Sequence, residues 1–228
     1  MTDKKIKSHE GHFRRLKERY LKGGLKGFHD YEIVELLLTL GEQRKDRKKE
    51  AKTALKKFGS LKGVLDATPR RLREIKGLGP KNIFGLLLIR DMVAVYLKAR
   101  AQEKPLAGSP REVVTYLRHS FSGLDKEVFK VVYLDNTNRV MEAEELFQGT
   151  IDQSAVYPRE LIASALDNKA SRLILAHNHP GGSLRPSPED LKITGRLKKA
   201  CGAVDIAIID HIIVAGERYF SFREHGLI

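Results

Sequence analysis

The sequence predicts an all-α domain followed by an α/β (α+β) domain built on a mixed sheet. Residues 1–100 place apolar side chains at helical spacing. From Glu127 onwards, β-rich runs alternate with helical periodicity, a pattern typical of a sheet covered by helices. Residues 101–108 lose periodicity, so we interpret them as a linker. The predicted domains are therefore 1–100 and 109–228.

The first domain is predicted to begin with three helices. Apolar residues at helical spacing define a helix over 9–22, and Asp30 can cap a second. The basic run 42–57 leads into a third helix that stops before Gly59. Taken alone, that run is more typical of a solvated helix face than of a nucleic-acid contact.

The second domain shows seven β-rich runs and three helical segments. Val128 opens the first run, and Asp135 lies in the turn that follows it. The predicted strands are 128–134, 139–147, 149–156, 173–176, 203–209, 212–214 and 219–222, and the predicted helices are 110–118, 158–166 and 190–200. This order indicates a mixed sheet with a site at the end of a central strand.

Positive charge is concentrated in the first domain. The 228-residue chain carries a net charge of +13, and residues 1–100 hold 26 Lys and Arg against 12 Asp and Glu, which gives +14. Residues 101–228 hold 16 against 17, which gives −1. Such an excess suits a polyanion because contacts to phosphates release counterions. A well-solvated helical surface would explain the charge equally well.

A short turn between two helices makes a phosphate contact the favoured interpretation. The segment Ile75-Lys76-Gly77-Leu78-Gly79 precedes Pro80, a good first residue of a helix. It resembles the I-x-G-L-G turn of helix-hairpin-helix DNA-binding elements. Gly77 and Gly79 would let the backbone approach a phosphate, Leu78 would anchor the turn, and Lys76 and Lys81 would flank it with charge. The expected partner is DNA, bound through its backbone with little sequence preference.

Three further features of the sequence indicate the cellular compartment. There is no apolar run of transmembrane length, and the N-terminus lacks the apolar core of a signal peptide. Cys201 is the only cysteine, which agrees with a reducing compartment. The expectation is a cytoplasmic protein.

A candidate metal site follows the apolar run 173–176. His177 and His179 are two residues apart on an extended strand, so both imidazoles can face one point, and Asp190 follows a Gly-rich loop. Two imidazoles and a carboxylate, with a fourth position left for water, form the ligand set of a catalytic zinc site.

Two further interpretations concern this candidate site. Ser187-x-x-Asp190 is also the pattern of a helix capping box, which would explain both residues without a metal and could equally fix where Asp190 points. Asp210-His211 could support the site, but an ordinary hydrogen-bonded core histidine is the favoured interpretation of His211.

The motif spacing resembles a known family. His177-x-His179, seven residues, Ser187, two residues and Asp190 match the H-x-H-x7-S-x2-D motif of the JAB/JAMM (MPN) metalloprotease domain. With the helix-hairpin-helix turn, the whole chain resembles the bacterial RadC family. The resemblance implies a JAMM/MPN-like fold, a Zn²⁺ cofactor and an association with DNA repair or DNA metabolism.

The family motif also includes an upstream Glu. Glu127, at the head of the first predicted strand, fits that place, whereas Glu160 lies in a predicted helix and fits it poorly. The resemblance implies that Glu127 moves the proton of a metal-activated water and that Ser187 stabilises the oxyanion.

The leading hypothesis is therefore a zinc-dependent JAMM-type hydrolase of peptide or isopeptide bonds, fused to a DNA-binding domain. A metal-dependent nuclease is the second hypothesis, because activated water and a basic domain suit phosphodiesters too. A non-enzymatic DNA-associated scaffold is the third.

Overall fold

A computed structural model of the chain describes residues 3–41, 46–103, 111–148 and 157–228, with side chains from residue 12 onwards. The chain divides into two compact units, Met1–Val93 and Ala94–Ile228. Helix α6 begins in the first and ends in the second. The fold class predicted from the sequence, helices first and a mixed sheet second, is confirmed.

The first unit is helical throughout its described residues. Its helices are α1 (Asp3–Gly23), α2 (Asp30–Thr39), α3 (Lys48–Phe58), α4 (Leu61–Asp66), α5 (Pro69–Arg73) and α6 (Pro80–Gln102). The apolar faces of α2 to α6 share one core, with Val34, Leu38 and Leu72 fully buried.

Three details differ from the sequence prediction. The N-cap of α2 is His29 rather than Asp30, because the backbone N–H of His29 donates to the Glu32 carboxylate in a capping box. Helix α4, which no periodicity indicated, is a single six-residue turn capped by Ser60. Helix α6 continues to Gln102, two residues into the predicted linker, and 104–108 lie outside the described residues.

The second unit is a five-stranded mixed sheet between two helical layers. Its elements are α7 (Arg111–Ser120), β1 (Val128–Leu134), β2 (Val140–Gln148), α8 (Pro158–Asp167), β3 (Arg172–Asn178), α9 (Pro188–Gly202), β4 (Ala207–Ala215) and β5 (Arg218–Ser221). The strand order is β2-β1-β3-β4-β5. Strands β3 and β4 run parallel, and the other neighbours are antiparallel.

Both faces of the sheet are buried, and alternation decides which face each residue joins. Val132 and Ile174 pack in the cluster that contains α7, whereas Val131 and Leu175 pack in the cluster that contains α8 and α9. His177 is two residues beyond Leu175, so it projects towards the α9 side.

The strand predictions need one correction. Residues 203–209 and 212–214 were expected as separate strands, but β4 runs unbroken through Asp210 and His211, and 203–206 precede it as a turn. The polar pair is accommodated because Asp210 accepts hydrogen bonds from Ser221 and from the backbone of Arg223. The predicted strand 149–156 lies outside the described residues.

Candidate metal centre

The candidate metal centre lies where β3 ends and α9 begins. Strand β3 carries His177, and His179 follows it on the same side. Asp190 lies in the first turn of α9. His177 and Asp190 are buried, with 0% and 1% of their side-chain surfaces exposed, and His179 retains 12%. The three residues predicted as metal ligands are therefore brought together at a largely enclosed point.

The ligand atoms converge closely. His177 Nε2 lies 2.9 Å from His179 Nε2 and 3.2 Å from Asp190 Oδ1, and His179 Nε2 lies 3.5 Å from Asp190 Oδ2. All the potential ligand atoms fall within 4.8 Å of one another. Within the described residues, this is the only such group of three His, Cys, Asp or Glu side chains.

A chain of hydrogen bonds fixes the tautomer of His177. The Thr194 hydroxyl donates to the carbonyl oxygen of Asp190, so its oxygen accepts from Nδ1–H of His211 at 2.6 Å. Nε2 of His211 is then an acceptor and takes the Nδ1–H of His177 at 2.8 Å. Nε2 of His177 is left with a lone pair that points into the centre.

His179 reaches the same state through the loop. Its Nδ1 lies 2.9 Å from the carbonyl oxygen of Ser183, which can only accept, so Nδ1 carries the proton. In their neutral forms, both histidines therefore present Nε2 lone pairs to one point. Metal-binding histidines in proteins are commonly held this way, with the second ring nitrogen donating to a fixed acceptor.

These donors fit a metal ion. Asp190 Oδ1 is buried and accepts no hydrogen bond from the described residues, although a buried carboxylate oxygen without a partner is costly. Zinc bonds of about 2.0–2.1 Å at tetrahedral angles separate neighbouring ligand atoms by about 3.3–3.4 Å. The observed separations of 2.9, 3.2 and 3.5 Å lie around that value.

The electrostatics favour an ionised Asp190 carboxylate and a neutral His211. Burial opposes ionisation of Asp190, but His177, His179 and the Ser187 backbone N–H hold its pKa well below the usual range. The contact with Asp190 raises the pKa of His179. Burial, followed by the neighbouring His177, lowers the pKa of His211 well below its ordinary value.

Ser187 and Asp190 form the capping box as well as belonging to the centre. The backbone N–H of Ser187 donates to Asp190 Oδ2 at 2.7 Å, and the N–H of Asp190 donates to Ser187 Oγ at 3.1 Å. The two interpretations therefore coexist. The cap orients the Asp190 carboxylate, and because Ser187 Oγ accepts in this bond, its proton remains available to a further acceptor.

Glu127 lies next to the centre. It is partly buried immediately before β1, and its charge contributes to the raised pKa of His179. The side chain of Asn178 holds the backbone on both sides of it, accepting from Val128 N at 2.8 Å and donating to the Lys126 carbonyl at 2.9 Å. The alternative, Glu160, is exposed in the first turn of α8.

Sequence reasoning left three residues outside the site. His211 is the buried, hydrogen-bonded histidine that was expected, yet it also contacts His177 directly, and neither Thr194 nor Asn178 was considered. A usable signal existed for His211 alone, because it lies in an apolar run that could pair in parallel with β3.

The predicted DNA-binding turn connects α5 to α6. Gly77 has φ +95°, a conformation that favours glycine, and Leu78 is buried in the helical core as expected. Lys76 and Lys81 are exposed. The N–H of Gly79 donates to Asn82 Oδ1 at 3.0 Å.

A mixed sheet carrying this His-His-Asp group defines the JAB class of domain. Residues 107–227 match the family model described as RadC-like JAB domain, and residues 10–84 match the model described as UPF0758 N-terminal. The chain belongs to the RadC family, and the curated relatives described below are named UPF0758 proteins. The resemblance inferred from the motif is confirmed.

Several relatives align over nearly the whole chain. A UPF0758 protein of Fusobacterium nucleatum subsp. nucleatum is 38% identical over 97% of this chain and 99% of its own length. One from Pseudoalteromonas translucida is 38% identical over 94% and 96%, and one from Burkholderia mallei is 39% identical over 93% and 76%. Among the described residues, no helix is both long and apolar enough to cross a membrane.

Proposed function

We propose that this protein is a zinc-dependent hydrolase of peptide or isopeptide bonds. The JAB-like domain fits a superfamily of metal-dependent hydrolases. The observation that carries the proposal is the convergence of two Nε2 lone pairs and the unpartnered Oδ1 of Asp190 on one buried point. Three ligands leave one tetrahedral position open, as in catalytic rather than structural zinc sites.

His177, His179 and Asp190 would hold the metal. Zinc bound there would lower the pKa of a water molecule from about 15.7 towards about 7 and so supply a nucleophile at neutral pH. The Glu127 carboxylate would accept a proton from the attacking water and would pass it to the leaving amine. The Ser187 hydroxyl donates to the oxygen on which negative charge develops.

Metal analysis of the purified protein tests the ligand set. We expect about one zinc per chain in the wild type, as a single mononuclear site requires. The double variant His177→Ala, His179→Ala should retain only a trace, whereas His119→Ala, in the last turn of α7, should retain zinc fully. Zinc-free wild type, or a double variant that keeps its zinc, would refute the proposal.

The two candidate carboxylates provide a matched test of the general base. Zinc-loaded Glu127→Gln should keep its metal and lose about 10²- to 10⁴-fold in cleavage of a peptide and isopeptide library. Glu160→Gln should cleave like the wild type. Equal cleavage by both variants would contradict the role of Glu127. Cleavage of DNA alone would favour the nuclease, and a zinc-loaded protein that cleaves neither would favour the scaffold.

We further propose that the first unit binds the DNA backbone without sequence preference, in the cytoplasm. Exposed Lys76 and Lys81 flank the Gly77 turn, and the excess positive charge of the chain lies within residues 1–100. A protein that binds DNA in this way would bring the hydrolase to substrates on or near DNA.

Fluorescence anisotropy with a labelled duplex tests DNA binding. Lys76→Glu with Lys81→Glu should weaken binding to unrelated sequences alike, and the salt slope of the affinity should fall by about one for each phosphate that is no longer bound. The charge-matched control is Lys192→Glu with Lys198→Glu on α9, which should bind like the wild type. If the DNA affinity is unchanged in Lys76→Glu with Lys81→Glu, the Gly77 turn is not part of the DNA interface.

A further inference from the structure

An open groove of about 620 Å³ lies beside the metal centre, within the second unit. Two serines contribute to its wall, but most of the lining is apolar. The lining residues apart from Arg185 are Ser183, Pro186, Ser187, Pro188, Leu191 and Leu227. The groove was not indicated by any sequence motif, because its lining comes from the loop, from α9 and from the end of the chain.

The wall of the groove is the loop that joins the metal ligands. Ser183 accepts the Nδ1–H of His179, and Ser187 caps the helix that carries Asp190. The groove therefore begins at the hydroxyl proposed to stabilise the oxyanion. A substrate group bound in the groove would therefore lie next to the carbonyl group that reacts.

The apolar character of the groove bears on the substrate. Leu191 and Leu227 remain 46% and 48% exposed, next to a centre whose own residues are buried. Covering such carbon surface stabilises a complex by about 25 cal/mol per Å² of apolar area removed from water. An aliphatic or aromatic side chain gains this term, whereas a sugar-phosphate chain does not.

One cation lines the groove. Arg185 is exposed, and its guanidinium forms no ion pair with any described residue, although its backbone N–H donates to Ser183 Oγ. An unpaired guanidinium complements a carboxylate. The lining of the groove is thus mostly apolar and carries a single positive charge.

We propose that this groove binds an apolar side chain of a peptide substrate beside the scissile bond, and that Arg185 binds an acidic group flanking it. The inference rests on the proposed hydrolase and narrows its substrate to hydrophobic, acidic peptide segments. It also favours a peptide over a phosphodiester for this site.

Peptide binding to the full-length, zinc-loaded chain tests the inference, with Glu127→Gln present throughout to prevent turnover. The probes are the blocked tripeptides acetyl-Leu-Gly-Asp-amide, acetyl-Ser-Gly-Asp-amide and acetyl-Leu-Gly-Lys-amide. Calorimetry gives affinities, and the methyl resonances of labelled leucines report the location. The first peptide should bind about 10-fold more tightly than the others and shift the methyl signals of Leu191 and Leu227.

Two matched pairs of variants complete the design. Leu191→Gln should weaken binding of the first peptide about 10-fold, whereas Leu166→Gln, exposed on α8, should not. Arg185→Gln should remove the preference for Asp over Lys, whereas Arg196→Gln, exposed on α9, should preserve it.

The outcomes separate the groove from the metal chemistry. Zinc-loaded protein whose peptide affinity is unaffected by Leu191→Gln would overturn the groove proposal and leave the hydrolase standing. Protein without zinc would overturn the hydrolase, and with it the substrate role of the groove. A single-stranded oligonucleotide that displaces the peptide and shifts the same methyl signals would overturn the assignment to peptides.

Discussion

Each unit of the protein buries a carboxylate beside histidine, and the two carboxylates behave in opposite ways. Asp190 is 1% exposed next to His177 and His179, and Glu35 is 2% exposed with His12 Nε2 3.2 Å away. The pKa of Asp190 is lowered, whereas burial raises that of Glu35, with His12 only partly opposing the shift.

The difference lies in the hydrogen bonds that orient the histidines and the carboxylate. At Asp190, both histidines are oriented by acceptors on their far nitrogens, and the carboxylate is oriented by the Ser187 N–H. One oxygen of each carboxylate is buried without a hydrogen-bond partner in the described residues, but only at Glu35 does the contacting His12 Nε2 also lack one, and there Asp46 adds like charge. A buried carboxylate and histidine therefore do not by themselves indicate a metal site, whereas oriented lone pairs do.

The largest expected effect separates the two carboxylates directly. Asp190→Asn removes an anionic ligand, so zinc affinity should fall by more than the roughly 10- to 100-fold typical of losing a supporting residue. Glu35→Gln should leave zinc affinity unchanged. Competition with a chromophoric chelator measures both, and equal losses in the two variants would show that overall fold disruption, not ligand loss, controls the metal.

A smaller effect is expected at the hydrogen-bond chain. Thr194→Val removes the acceptor of His211 Nδ1–H, which frees the His211 and His177 tautomers, so zinc affinity should fall about 10- to 100-fold. Thr115→Val is the control, because its hydroxyl makes the same bond to the carbonyl four residues earlier, at an exposed position of α7.

The cobalt-substituted protein adds a readout that loss of stability alone would not change. The visible spectrum of bound cobalt reports the coordination geometry, and it should change in Thr194→Val and stay constant in Thr115→Val. Full zinc affinity and an unaltered spectrum in Thr194→Val would show that the chain does not support the ligands.

The parts of the site that sequence predicted are those set by short-range spacing. The period of a strand places His177 and His179 on one side, and a helix cap places Asp190 at the first turn of α9. Neither needs knowledge of the sheet order. The fold class was readable for the same reason, since alternation and helical spacing are local.

The parts that sequence missed depend on which strands are neighbours. His211 reaches His177 because β4 pairs in parallel with β3, with Leu175 opposite His211. Asn178 reaches the backbone on either side of Glu127 because the start of β1 lies beside the end of β3. Strand order and register are set by packing of the whole domain, so no local pattern contains them.

The smallest expected effect concerns stability at Glu35. Its folded-state pKa is raised, so the folded state holds this proton at a pH where the unfolded chain has released it. The resulting stabilisation is full below the unfolded-state pKa of about 4.3 and is lost as pH rises through the folded-state pKa. At pH 8, Glu35→Gln should therefore unfold with a free energy higher by on the order of 1 kcal/mol, because no buried charge remains.

That advantage should shrink as the pH falls towards 5. Urea unfolding followed by circular dichroism at several pH values measures it, with Glu18→Gln as the control at an exposed position. Lower stability of Glu35→Gln at pH 8 would mean that the ion pair with His12 outweighs burial. The ionised form of Glu35 would then be favoured, as that of Asp190 is. The two carboxylate sites would differ only in the number of neighbouring histidines.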